Sequence, residues 1–165
     1  MPELHTLSTP RVRPELHRGF RPLGLALRSL REKAEATGRP ARLCLAIERG
    51  GGAISRFDTT CLPEDHPEAG LNLEYAERIV KFLLWSRGGW RVLVSAPTGV
   101  AEHLKAVYAP DGARAFDHAF MGGVYGHAFT VEAVDEASLP AAKESTVALG
   151  GHLEGCRIGF DLGAS

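Results

Sequence analysis

Apolar residues recur at helical spacing in two long stretches of the chain. After Pro22, which suits the first turn of a helix, leucines and alanines recur every three or four positions until Gly38. A second stretch begins at Asn72, a residue that can cap a helix, runs through Trp85 and stops at Gly88. The buried stripe of this second helix would consist of Ala76, Ile79, Val80 and Leu83. The pattern therefore predicts helices over about 22–37 and 72–85.

Short apolar runs bounded by glycine or proline indicate the strands. Residues 43–48 and 53–59 flank three glycines and are typical of a β-hairpin, and 90–95 is an apolar, β-branched run. Residues 115–134 suggest two further strands around Gly122-Gly123. We expect a short helix over 100–108, a last helix over 139–149 and a final strand over 157–162. This order predicts a single α/β (or α+β) domain, with β-hairpins in a mixed sheet flanked by three or four helices.

The sequence predicts a division of the chain into three segments. Residues 1–21 carry Pro2, Pro10 and Pro14 and are predicted to form an irregular arm across the domain. Residues 22–155 form the α/β domain, and the glycine-rich tract 150–155 is a candidate hinge. Residues 156–165 form a separate C-terminal segment.

Composition and charge limit which partners the protein could bind and where in the cell it could lie. Hydrophobic residues make up 44% and charged residues 24% of the 165 residues, which is ordinary for a globular protein. The net charge of −1 provides no basic excess for nucleic acid or an anionic membrane surface. The chain has no signal-like N-terminus and no apolar run of membrane-spanning length. Its three irregularly spaced cysteines indicate reduced thiols, and we therefore expect a cytoplasmic protein.

The predicted hairpin around Gly122-Gly123 would bring two histidines together. With a two-residue turn, His118 faces His127 in a non-hydrogen-bonded pair, with Cα atoms about 4.5 Å apart. Two imidazoles so placed could both bind one Zn²⁺. The alternative is that the two rings are neutral members of an aromatic ladder, because cross-strand aromatic pairs ordinarily stabilise sheets.

Further ligands would have to come from elsewhere in the chain. Cys61, Asp65 and His66, which lie together in a proline-rich loop, are the favoured donors, and His103 and Asp117 are alternatives. Three protein ligands and one open position would lower the pKa of bound water and supply a hydroxide nucleophile. This interpretation predicts a zinc-dependent hydrolase of activated esters or phosphoesters (phosphotriesters or phosphodiesters), acting on a small-molecule substrate. No catalytic residue is identified by the sequence.

The junction 95–100 is a second candidate site. A helix beginning here would offer free N–H groups and a positive dipole to a phosphate or carboxylate. The spacing is not that of a P-loop, and Thr98 is adequately explained as an N-cap. We therefore expect a structural role for this junction.

The C-terminal residues carry the most specific motif. The run Gly159-Phe160-Asp161-Leu162-Gly163-Ala164-Ser165 resembles the first phosphate-binding hairpin of actin-like ATPases and of sugar kinases of the ROK type. The run 79–94 is similar, less specifically, to the region that precedes the nucleotide-binding core in some large ROK-like proteins. The resemblance implies that the Asp161 carboxylate orients a hydrated Mg²⁺. It also implies that the turn through Gly163 and Ser165 presents backbone N–H groups to phosphate.

Two functions are therefore open at this stage. No second phosphate loop, adenosine pocket or catalytic base follows the motif, so we expect an incomplete ATP site and no kinase activity from these residues alone. The favoured prediction is a small metal-dependent hydrolase derived from such a fragment, and the alternative is a non-catalytic N-terminal domain of a ROK-type sugar kinase or actin-like ATPase. We also expect a homodimer formed through an exposed strand edge near the C-terminus.

Overall fold

The computed structural model describes residues 3–12, 14–144 and 155. The helices in these ranges are α1 (Leu23–Ala36), α2 (Leu71–Arg87), α3 (Val100–Val107) and α4 (Ala115–Tyr125). The strands are β1 (Ala41–Glu48), β2 (Ile54–Cys61), β3 (Arg91–Ser95) and β4 (Thr130–Ala133). Short 3-10 turns occupy Leu4–Leu7, Gly50–Gly52 and Glu136–Ser138.

The four strands form one mixed sheet in the order β2-β1-β3-β4. β1 is antiparallel to both β2 and β3, whereas β3 and β4 are parallel. α2 therefore connects two strands that run in the same direction on either side of β1, and α3 and α4 connect β3 to β4. The predicted single α/β domain with a mixed sheet is confirmed, since the described residues contain four helices around this sheet.

Alternate residues of each strand point to opposite faces of the sheet, and the helices pack on one of these faces. Leu43, Leu45 and Ile47 of β1 are almost fully buried against side chains from α1 and α2. The opposite face has a much smaller apolar cluster, formed by Cys44, Ala46, Leu93 and Leu139. The segment that follows β4 thus crosses this second face.

The last described residues of that segment, 143 and 144, lie beside the other edge of the sheet. The backbone N–H of Ile54 donates to the Lys143 carbonyl at 3.0 Å, and the Lys143 N–H donates to the Ile54 carbonyl at 2.9 Å. Next to this bridge, Glu144 accepts hydrogen bonds from Ser55 Oγ at 2.6 Å and from Arg87 Nη1 at 2.6 and 2.7 Å. The crossing segment is thereby fastened to β2.

Two predicted helix caps are wrong. Asn72 lies inside α2, and its side chain instead accepts from the Leu62 N–H at 3.0 Å and donates to the Leu62 carbonyl at 2.7 Å. Thr98 precedes α3 but makes no side-chain cap, because Gly99 is the N-cap residue. The Asn72 side chain bonds to the backbone of Leu62, and the Thr98 backbone N–H donates to the Glu64 carboxylate. Both residues therefore bond to another segment of the chain.

The hairpin predicted over 115–134 is also wrong. Gly122 and Gly123 lie inside α4, and only 130–133 of this stretch form a strand. Packing is tight at Gly122, because a Cβ there would lie 3.0 Å from the His127 carbonyl oxygen, where the chain folds back on the helix. Glycine in a helix costs about 1 kcal/mol relative to alanine, and the buried contacts of Asp117 and Met121 offset that cost.

The last predicted helix is wrong over residues 139–144, which contain no helix and form an isolated β-bridge at Lys143. Residues 145–149 of that prediction, and the predicted strand 157–162, lie outside the described residues. In the described ranges, no helix combines the length and the apolar character needed to cross a bilayer.

Candidate functional site

The two histidines predicted to face each other do not form a cross-strand pair. His118 lies on α4 and donates from Nδ1 to the Tyr108 carbonyl at 2.8 Å. His127 lies beyond the end of α4, where its exposed ring stacks on Trp90 with 4.3 Å between ring centroids. The geometric argument for a shared metal ion was therefore wrong, because it depended on a hairpin that is a helix.

Of the other predicted ligands, Cys61 is buried and Asp65 and His66 each have a hydrogen-bond partner. Cys61 is fully buried at the end of β2, and burial raises the pKa of its thiol to about 12, which opposes the thiolate that a metal would need. Asp65 accepts from Arg39 Nη2 at 2.5 Å, and this hydrogen bond lowers the carboxyl pKa. His66 Nδ1 accepts from the Glu68 N–H at 3.1 Å. Within residues 3–12 and 14–144, no three His, Cys, Asp or Glu side chains form a group that could hold a metal ion.

Asp117, one of the alternative ligands, is instead the centre of a buried charge cluster between α2 and α4. Both of its carboxylate oxygens accept from Lys81 Nζ at 2.8 Å, and Oδ1 also accepts from Trp85 Nε1 at 2.8 Å. The Asp117 side chain is only 2% exposed, whereas that of Lys81 is 35% exposed. These contacts fix the relative position of the two helices.

His103, the other alternative, belongs to a neighbouring cluster. Glu77 of α2 accepts from Arg114 at 2.9 and 2.7 Å and from His103 Nε2 at 3.3 Å. The three side chains come from α2, from the loop before α4 and from α3. They therefore tie α2 to α3 and to the start of α4.

An exposed apolar surface covers the outer side of α2 and α4. We define the α2/α4 aromatic face as Phe82, Trp85, Phe116, Phe120 and Val124, which are 43–67% exposed. The rings of Trp85, Phe116 and Phe120 lie within 5–19° of parallel, with centroids 5.3–6.2 Å apart. Lys81 Nζ lies 5.3 Å from the centroid of the Trp85 ring. The Asp117 cluster lies directly behind this face.

A concave region lies at the carboxyl end of β3. Two cavities of about 410 and 350 Å³ lie on either side of the Pro97–Thr98 segment, and Glu64 lines both. The Thr98 N–H donates to Glu64 Oε1 at 2.7 Å, which lowers the pKa of this carboxyl. Glu64 thus binds the backbone two residues before α3 begins, and the structural role expected for the junction stays a prediction.

The phosphate-binding motif cannot be placed. Asp161, Gly163 and Ser165 lie outside the described residues, so their predicted role stays a prediction. Sequence reasoning missed the aromatic face because it assigned Phe116 and Phe120 to a strand. The signal that would have identified it is the four-residue spacing of Phe116, Phe120 and Val124, which places them on one side of a helix.

Comparison with known proteins gives no relative. No protein-family model, no curated protein and no solved structure matches this chain significantly.

Proposed function

We propose that this chain acts as a non-catalytic N-terminal domain of an actin-like sugar kinase of the ROK type. The observation that carries the proposal is the run from Gly159 to Ser165, an apolar segment followed by Asp-x-Gly-x-Ser. In this proposal the folded α/β domain precedes a nucleotide-binding core, and Asp161 belongs to the first phosphate-binding hairpin of that core.

The pairing of polar groups in the folded domain supports this division of roles. The Asp117 carboxylate is engaged by Lys81 and Trp85, and Glu64 is engaged by the backbone at the start of α3. Such contacts hold elements together, and each group would lose a hydrogen bond if it turned to a ligand. The folded domain is thus suited to a structural role, and nucleotide chemistry falls to the residues after 155.

The end of the crossing segment also supports the proposal. The backbone bridge between Ile54 and Lys143 and the contacts of Glu144 with Ser55 and Arg87 fasten the chain to β2. The tract 150–155 and the motif follow after this anchor in the sequence. The folded domain is thus closed by its own contacts up to Glu144, and the proposed phosphate motif begins fifteen positions later in the sequence.

The test joins residues 1–165 to the nucleotide-binding core of an actin-like sugar kinase, in place of that core's own first strand and turn. Sugar phosphorylation is then measured in a coupled assay. Asp161→Asn is expected to lower turnover about a hundredfold, the usual cost of losing one electrostatic contact to the reacting groups. The matched control is Asp111→Asn, which changes an exposed loop carboxylate and leaves the rate unchanged. Equal rates for both variants would contradict the proposal.

The isolated chain supplies a separate test against the hydrolase interpretation. We expect the isolated chain to show no saturable ATP binding. We also expect the His118→Ala/His127→Ala double variant to hydrolyse esters no more slowly than the wild-type chain. Elemental analysis of both proteins measures the bound metal. Stoichiometric zinc that disappears in the double variant together with hydrolysis would favour the hydrolase, and tight ATP binding by the isolated chain would contradict the non-catalytic role.

A further inference from the structure

The α2/α4 aromatic face is large enough for a specific protein contact. Phe82 and Phe116 are 66% and 67% exposed, and Trp85 and Phe120 are 48% and 43% exposed. Since an aromatic side chain has about 150–250 Å² of surface, the four rings expose roughly 450 Å². That area is within the range of the largest apolar patch on a typical monomer, and such patches are often functional. A standard interface buries about 800 Å² on each partner, somewhat more than half of it apolar, so the rings alone supply the apolar part.

The two basic residues of α2 beside this face, Arg78 and Lys81, are each paired with a carboxylate of the chain. Lys81 is paired with Asp117, which lies behind it, and Arg78 is paired with Glu74 on the same helix at 3.4 Å. The whole chain has a net charge of −1. An electrically balanced apolar face does not repel an identical face, whereas a partner selected by charge would need an unpaired charge on its rim.

The rings are also ordered before any contact forms. Trp85 is held by its hydrogen bond to Asp117, and Phe116 and Phe120 are fixed on the adjacent turns of α4 in nearly parallel orientation to it. Association then costs less side-chain entropy than it would for freely rotating side chains.

We propose that two copies of this chain associate through the α2/α4 aromatic face about a two-fold axis. Each copy presents the same rings to the other, as a two-fold contact requires. The proposal is independent of the proposed kinase role, because it depends only on the folded α/β domain. It also differs from the dimer predicted from the sequence, which used a strand edge near the C-terminus.

Sedimentation equilibrium of the full chain between 1 and 200 µM tests the proposal. We expect the average mass to rise with concentration from 17.7 kDa toward twice that value. Phe82→Ser and Phe116→Ser should each weaken association at least tenfold while the far-UV circular dichroism stays unchanged. Leu16→Ser, which removes a fully exposed leucine from the N-terminal arm, is the matched control and should leave association unchanged.

Two results would overturn the proposal. The first is a wild-type chain that is monomeric at 200 µM, and the second is a dimer that both phenylalanine variants leave intact. For a monomer, iodide quenching of Trp85 in a Trp90→Phe background then shows whether the face is shielded. Shielding would identify another part of the same chain as the occupant of the face. None of these measurements involves nucleotide, so the proposed kinase role succeeds or fails separately.

Discussion

Replacing Lys81 by methionine removes the cation from a carboxylate that water cannot reach. Because the Asp117 side chain is 2% exposed, its charge would remain buried with only the Trp85 indole N–H as a partner. Removing one member of a buried ion pair costs about 3–5 kcal/mol. We expect the lower end, about 3 kcal/mol, because the indole hydrogen bond persists.

Removing the other member of the pair should cost less. In Asp117→Ala the Lys81 side chain, which is 35% exposed, and the half-exposed Trp85 can both return to water. The loss is then mainly that of hydrogen bonds to a charged group, about 2 kcal/mol. The order of the two variants therefore reports which end of the ion pair is desolvated.

Urea unfolding followed by far-UV circular dichroism at 25 °C measures both free energies of unfolding. For a chain of this length, 3 kcal/mol corresponds to a fall in Tm of about 6–12 °C. The matched control is Lys105→Met on the exposed side of α3, for which we expect a change within about 0.5 kcal/mol. If Lys81→Met costs no more than Lys105→Met, the assignment of a buried charge cluster between α2 and α4 is refuted.

Two further predictions concern the backbone and acid stability. Gly89→Ala should destabilise the fold by about 2 kcal/mol or more, because φ is +142° and a Cβ would lie 2.2 Å from Ile47 Cγ2. Gly24→Ala, where a Cβ meets nothing within 4 Å, is its thermal-melt control, and an equal Tm in the two variants would disprove the steric argument. The second prediction concerns Glu132, whose carboxyl pKa is held below its usual value by hydrogen bonds from Arg91. The ionised Glu132 therefore stabilises the fold above the unfolded pKa of about 4.3, and this stabilisation is lost as pH falls through the folded pKa. Unfolding free energies should therefore fall between about pH 5 and pH 3, and a fall no smaller in Glu132→Gln would show that this pair is not a cause.

The sequence predicts those elements of the fold whose local signals agree. The α1 helix between Pro22 and Gly38, the hairpin around 50–52 and the helix that ends before Gly88 were all predicted within two or three residues of their observed bounds. In each case the apolar spacing and the punctuating residues indicate the same structure.

The candidate site was less predictable because its elements depend on tertiary contacts. In α4 the glycine pair and the alternation of aromatic residues favoured strands, while the contacts of Asp117 with Lys81 and Trp85, 32–36 positions earlier, stabilise a helix. Asn72 likewise satisfies the backbone of Leu62 rather than a helix end. The local pattern does not contain these pairings, and the histidine pair was wrong because it assumed a hairpin where α4 forms.

The bridge between Lys143 and Ile54 also affects how the protein could aggregate. Exposed strand edges are templates for the addition of further strands, and that growth leads to fibres. At the β2 edge, Ile54 already has both backbone groups paired with Lys143, and the Arg56–Asp58 ion pair follows along the same strand. At the opposite edge β4 has only four residues. Within the described residues, the start of the β2 edge is therefore closed to strand addition, and the proposed two-fold contact through the α2/α4 aromatic face would give a closed pair rather than a fibre.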